Sequence, residues 1–361
     1  MRSYTRWAAL AALPLLFAAL AACGSPSGGG PSGAENAADC PVQPPNGQPY
    51  SVKLAYNPTL LSALPISIAL EKGYFTQEGV TPEVTELPGS ANEMFPQLAR
   101  GGLDLLAGGL GAPLFNARHQ GFDVKIIMAY GANKEGYLST VSIVATPEAA
   151  ARLQADPSAL KDLRLEQLAE GSSASLLMQN LIQQSGLGGQ VQAKSSVAAP
   201  PDLVTLFRRG GVDVAAQVEP AATLMREQGL AVVYKTGEQI SPDQQGGLMV
   251  ASEQFLKDNP CAAVAFARGL QKAAEDLRAG NGQWTPELSN IAVKYWKVPA
   301  DLLPKLGATP YASPDGRVDT TGLSQAQDVY AKQGLVTVPI DVNELVDGSI
   351  VDAIGTGGGQ K

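Results

Sequence analysis

The chain has 361 residues, 45% of them apolar and 17% charged, with 26 lysines and arginines against 34 acidic residues and a formal charge of −8. That length and apolar content favour two packed domains, and the acidic balance excludes a general nucleic-acid binder, which needs a basic stripe to displace counterions. A single histidine, His119, rules out a histidine-built catalytic zinc site and leaves Ser-His or Cys-His catalysis one candidate base. In chain order, Arg2 and Arg6 precede an apolar run, Trp7 to Ala22, that contains Pro14. A bilayer-spanning helix needs about 20 apolar residues, so this shorter run reads as a secretory signal over residues 1–22. Gly24 to Ala38 is almost all Gly, Ser, Pro and Ala, which bury little, so residues 23–48 read as a flexible tether. Tyr50–Tyr56 alternates as a strand, Leu64–Lys72 is a helix stopped by Gly73, and Thr81–Leu87 alternates again. Val124–Tyr130 and Thr140–Ala145 are apolar strand candidates, Leu163–Leu168 a weaker one, and Ser173–Gln184 a helix closed by Gly186. The last third reads as helices over 252–257, 261–278, 286–297, 325–333 and 343–354, with a disordered tail over 355–361. Trp284 and Trp296 lie in this helical third as core residues, and His119 is expected at the surface or in ordinary packing.

An internal duplication organises the middle of the chain. Met94–Gly108 and Leu203–Gln217 share one pattern, Arg-Gly-Gly-(Leu/Val)-Asp-(Leu/Val), at Arg100–Leu105 and Arg209–Val214. Each copy predicts a short amphipathic helix, an Arg in its last turn, a Gly stop and then a strand. Strands alternating with helices place the chain in the α/β class, with mixed, mostly parallel sheets flanked by helices. Chain crossings near 131–140 and 237–247 divide it into two hinged lobes, one from 49–135 and 245–354 and the other from 136–244. Ligands of open α/β sheets sit beyond the C-terminal strand ends. Here those ends are Tyr56-Asn57-Pro58, Gly108–Pro113 and Gln217–Pro220, which all point into one central cleft if the lobes face each other.

These ends supply the candidate contacts. Tyr56 and Asn57 close the first strand, and Ser90 lies in Gly89–Asn92 before the first repeat. Ser172 and Ser173 open a helix, whose N-terminal N–H groups and partial positive charge suit an anionic or acceptor-rich group, although each serine is also a plain helix cap. Gly109, Gly111 and Ala112 lack bulk and let the backbone approach a ligand. Glu219 is an acceptor for an amine or a ring N–H, and Tyr137 could cover an apolar or ring portion. No Arg lies in these loops and Lys134 sits only at a crossing, which favours an organic solute over a small inorganic anion. A sulfonate held by N–H groups remains compatible with this arrangement.

Two resemblances add to this reading. Leu20-Ala21-Ala22-Cys23-Gly24 resembles the lipobox of bacterial lipoproteins, which implies lipidation of Cys23 and export to the outer face of the cell membrane. With Cys23 so committed, Cys40 and Cys261 remain. In an exported chain they suggest one disulfide, the alternative being two unpaired small hydrophobes. Leu64–Phe75, with Glu78-Gly79-Val80 after it, resembles the first helix of the solute-binding proteins of nitrate/sulfonate/taurine ABC importers, a group that also holds thiamine-pyrimidine-precursor binders. Asp213–Pro220 is similar to that family's second-lobe "DA…EP" segment, and the resemblance covers roughly residues 50–350. It implies a two-lobed, type II periplasmic-binding-protein-like fold and a monomer that binds a small organic molecule, sulfonate- or taurine-like or otherwise N- or S-containing. It implies delivery to an ABC permease and its ATPase, with no cofactor, no metal and membrane contact through the lipid anchor only. A heterocycle binder of the thiamine-pyrimidine type, or a ligand-sensing lipoprotein, is the alternative. Yeast-type thiamine-pyrimidine synthases resemble the same family but rely on a histidine-rich site, which a chain with one histidine does not offer.

Overall fold

The computed structural model describes residues 37–41, 43–87, 94–197 and 199–356. The signal, Cys23, the tether up to residue 36, the loop carrying Ser90 and the tail from residue 357 lie outside the described residues. In chain order the strands are β1 (Tyr50–Tyr56), β2 (Val80–Glu86), β3 (Leu105–Gly108), β4 (Val124–Ala132), β5 (Val141–Ala145), β6 (Leu165–Gln167), β7 (Val214–Val218), β8 (Val232–Thr236), β9 (Gln245–Ser252) and β10 (Tyr311–Ala312). They form a six-stranded sheet, ordered β10-β4-β9-β3-β1-β2, and a four-stranded sheet, ordered β6-β7-β5-β8.

Alternation along the strands explains why helices cover both faces of the larger sheet. In β1, Val52, Leu54 and Tyr56 join one apolar cluster while Ala55 joins the other, and in β9 Met249 and Ala251 oppose Leu248 and Val250. The first cluster is closed by helices Leu64–Glu71, Pro260–Ala279, Pro286–Trp296 and Ser349–Thr356, the second by Phe95–Ala99, Ala112–His119 and Thr320–Lys332. Irregular pairing between Ile126 and Met128 of β4 puts the consecutive residues Ile127 and Met128 into the same cluster. The smaller sheet has a core of its own, built with helices Pro147–Ala155, Ser173–Gln184, Pro200–Arg208 and Ala221–Glu227.

The mixed, two-sheet α/β class stands, but parallel pairs are fewer than the strand–helix alternation predicts. Parallel ladders join β1 to β2, β1 to β3 and β6 to β7, while β9 lies antiparallel between β3 and β4, and β5 antiparallel between β7 and β8. The reason is the crossing itself. A strand that carries the chain from one sheet into the other runs against the strands that βαβ units lay down. β9, opening Gln245-Gly246-Gly247, follows only the single helical turn Gly237–Ile240, too short to announce a strand.

Two helices also differ from expectation. The helix expected over 325–333 begins at Thr320, where the Asp319 carboxylate accepts the Thr321 N–H at 3.0 Å. The one expected over 343–354 is split into a 3₁₀ turn, Val342–Leu345, and the helix Ser349–Thr356. Between them Val346 bridges Ile126, Asp347 N–H bonds the Ile126 carbonyl at 2.9 Å, and Asp347 accepts the Ser349 N–H. Pairing with β4 therefore wins over local helical propensity. Cys40 is bonded to Cys261, fastening the first described segment to helix Pro260–Ala279. Arg268 reinforces that seam by donating to the Pro41 and Cys40 carbonyls.

Candidate functional site

The duplicated motif proves to be a duplicated corner. Gly101 and Gly210 sit at φ 72° and 65°, each just past its helix. Gly102 N–H reaches back to Gln97 and Gly101 N–H to Leu98 in the first copy, as Gly211 reaches Leu206 and Gly210 reaches Phe207 in the second. These are the paired bonds of a Schellman stop, which needs a residue tolerant of positive φ. The aspartate that follows then accepts a backbone N–H from the neighbouring parallel strand, Lys53 for Asp104 and Arg164 for Asp213, both at 2.8 Å. Its own carbonyl takes the N–H of Ser252 or Thr146, and each of those hydroxyls caps the next helix. The motif thus registers three strands at once, β1-β3-β9 in one sheet and β6-β7-β5 in the other. Asp213 also receives the Arg164 guanidinium, which holds its carboxyl below the usual range.

With both corners fixed alike, the turns beyond the strand ends meet. Ala112 N–H donates to the Gly171 carbonyl at 2.8 Å. A side chain at Gly109 would stand 3.6 Å from Ser173 Oγ, an ordinary contact distance, so the two turns pack side by side here. Gly111, Ala112, Ser172 and Ser173 share this junction. Ser172 caps its helix through the Ser175 N–H at 3.2 Å, and Gly111 precedes helix Ala112–His119. The remaining candidates sit apart from it. Tyr56 is fully buried in the lobe interior, where burial pushes its phenol up and the adjacent Ser67 hydroxyl opposes the shift. Asn57 folds onto Thr59, accepting its N–H at 3.0 Å and its hydroxyl at 2.7 Å. The Glu219 carboxylate, also buried, accepts the Thr223 N–H at 3.0 Å and the Thr223 hydroxyl at 3.2 Å, and its burial raises its pKa. Tyr137 stands edge-on to Tyr311 with centroids 5.2 Å apart. Ser90 lies outside the described residues. His119 is exposed at the end of its helix, and Lys134 pairs with Asp243 at 2.6 Å.

Next to the junction lies a pocket that the strand-end reasoning did not find. Its walls include Ser62, Tyr130, Thr140, Gly246, Gly247 and Tyr311. Most of these are ends of the crossing strands β4, β5 and β9, so the signal was present in the termini of the crossings themselves. Gly246 joins pocket to junction: its carbonyl would lie 3.5 Å from a Cβ at Gly109, and its own Cβ would meet Thr140 Oγ1 at 3.5 Å. Among the described residues lining the pocket none is charged; Leu61, Pro65, Ala132 and Pro310 join the two tyrosine rings in a mostly apolar wall, with hydroxyls and glycines between them. The crossings beside it are tied together, Asn133 N–H to Gln244 O at 2.9 Å and Asp243 N–H to Asn133 O at 3.0 Å.

Comparison with known proteins bears on this arrangement. A family model described as the NMT1-like family matches residues 46–284. No curated protein sequence matches the chain. Among solved structures, the alkanesulfonate-binding protein SsuA from Xanthomonas axonopodis pv. citri, bound to MOPS, superposes with a TM-score of 0.67 at 19% identity, covering 83% of this chain and 99% of that one. The periplasmic aliphatic sulphonate binding protein SsuA from Escherichia coli gives 0.67 at 18% identity, with 83% and 98% covered. The periplasmic nitrate-binding protein NrtA from Synechocystis PCC 6803 gives 0.62 at 16% identity, with 85% and 86% covered. These likenesses show a shared periplasmic-binding-protein fold.

Proposed function

The chain belongs to the NMT1-like family, and from that premise we propose that it is the extracytoplasmic solute-binding component of an ABC importer. The observation that carries the reading is the meeting of Gly109–Ala112 with Gly171–Ser173 beside a pocket walled by the crossing strands. The pocket as it stands offers only about 10 Å³, room for a water, so a solute enters as the lobes part and then bridges them. Only the closed arrangement makes both sets of contacts, so binding favours closure, and a permease can recognise the closed pair of surfaces. The bound molecule is a small organic compound, sulfonate- or taurine-like or otherwise N- or S-containing, with the N-terminus of helix Ser173–Gln184 as the receptor for an acceptor-rich group. The uncharged lining with Tyr130 and Tyr311 favours as second reading a neutral heterocycle of the thiamine-pyrimidine type. Lipidation of Cys23 anchors the protein to the outer face of the membrane, and permease and ATPase are its partners. No covalent chemistry is required of it, in keeping with a lone, exposed His119.

Thermal unfolding of the mature chain against taurine, alkanesulfonates, nitrate, aminopyrimidines, riboflavin and aromatic acids tests this reading. A ligand at 100 times its dissociation constant adds about 2.7 kcal/mol, several degrees for a chain of this size. Gly247→Ala is the control, since a Cβ there runs into the Tyr130 ring; it should abolish the shift. A shift that survives this substitution moves the site elsewhere, and silence across the panel counts against solute binding of these classes.

A further inference from the structure

We propose that Tyr330 is a positioning residue that latches the two lobes across the cleft, so that closure rests on the chain's own contacts before any solute contributes. Tyr330 lies on helix Thr320–Lys332, fully buried, with its hydroxyl 2.9 Å from the Ser172 carbonyl and 3.2 Å from the Leu110 carbonyl. One hydroxyl proton serves both carbonyls, the nearer one belonging to the second lobe and the farther to the first. It thereby ties the turn after β3 to the start of helix Ser173–Gln184, the two segments that carry Gly109–Ala112 and Ser172–Ser173. The Ala112 N–H to Gly171 O bond runs alongside.

Two further observations point the same way. Leu176 belongs to the second-lobe helix, yet it is buried in the first-lobe cluster with Leu110, Ala112 and Tyr330. Parting the lobes exposes that side chain and strands the carbonyls and the hydroxyl in the same step, which is costly where water has been excluded. Gly171 has φ 70°, and a Cβ on it would come within 2.9 Å of Ala112 Cβ, so the approach depends on its bare backbone. The lobes also touch at the surface, where Arg226 donates to the Lys305 carbonyl and Lys305 lies 3.6 Å from Glu227. That contact is exposed and contributes little, and the Leu138 N–H to Thr309 carbonyl bond lies at a crossing; the tyrosine side is buried and away from the crossings, where a latch can act. A solute must enter while the latch is open, so its strength sets how often the cleft admits one.

Hydrogen exchange at the Ala112 amide reads the latch directly, in protein refolded from denaturant so that no carried-over solute remains. Tyr330→Phe keeps the ring and removes the hydroxyl; it should speed exchange at Ala112 about fivefold, the equivalent of about 1 kcal/mol, while amides of β1 and β5 keep their wild-type rates. Gly171→Ala forces the same surfaces apart without touching Tyr330, and should both speed Ala112 exchange and enlarge the radius of gyration in solution scattering. Wild-type exchange at Ala112 in Tyr330→Phe overturns the latch, whatever Gly171→Ala does. So does an equal acceleration across β1 and β5, which assigns the hydroxyl to general stability. Because no solute enters the experiment, the latch stands or falls independently of the solute panel.

Discussion

Replacing both bridging cysteines, Cys40→Ala with Cys261→Ala, removes a cross-link that closes 221 residues of chain. In the chain-entropy account that loop restricts the unfolded ensemble by about 5 kcal/mol. Both cysteines are buried, at 9% and 3% exposure, so the alanines also leave small voids where sulfur was packed. The Arg268 bonds go to the main-chain carbonyls of Cys40 and Pro41, which alanine substitution retains, so the loss should act mainly through the unfolded state. At roughly 2 °C per kcal/mol for a chain of this size, the melting temperature should fall by about 10 °C. Calorimetric melts of the oxidised protein and the double variant measure this. Burial makes reduction of the folded protein slow, so substitution is the cleaner perturbation. A fall of less than about 2 °C would falsify the loop-entropy argument, and two alkylatable thiols in unreduced protein would remove the bridge itself.

Further outcomes follow from named groups. Asp213→Ala should cost about 2 kcal/mol near neutral pH, since it removes an acceptor of backbone and guanidinium N–H groups. Because the Asp213 pKa is lowered on folding, that cost should shrink on acidification below the usual carboxylate range; a cost independent of pH in chemical denaturation would contradict the ion-pair account. Glu219 has the opposite sign. Burial raises its pKa, so its contribution is fully present below the unfolded value and declines as pH rises through the folded one. Melts of Glu219→Gln and wild type between about pH 4 and pH 8 should shift in favour of glutamine as pH rises, and a constant gap would show that the carboxyl carries no such penalty. Cys23→Ala should release the protein from the membrane fraction, and continued sedimentation with membranes would contradict the lipid anchor.

How much of the site was legible depended on the type of signal. The Arg-Gly-Gly-x-Asp repeat was plain because each residue has a local duty, a helix end, a positive φ or a strand start, and local duties leave local marks. Gly109, Gly111, Ala112, Ser172 and Ser173 could be picked out because turns beyond strand ends are where α/β sheets offer backbone to ligands. Glu219 and Asn57 carry the right chemistry, yet their acceptors are engaged by Thr223 and Thr59 close by in sequence. Polar residues in turns serve the backbone as readily as a ligand. Tyr130, Thr140, Gly246 and Tyr311 drew no notice because neither an apolar strand terminus nor a glycine pair announces a cavity.

The sequence by itself determined the α/β class, the duplicated corner, the bounds of elements such as Tyr50–Tyr56 and Ser173–Gln184, and the expectation that Cys40 pairs with Cys261. These follow from periodicity, capping and φ preference, which act within a few residues. Tertiary structure decided the antiparallel course of β5 and β9, the break at Val346–Gly348, the seating of Leu176 in the opposite lobe and the reach of Tyr330 to Ser172. Those depend on which surfaces meet, and pairing across 158 residues, as between Tyr330 and Ser172, leaves no periodic trace in either segment because each side is shaped by the other only after folding.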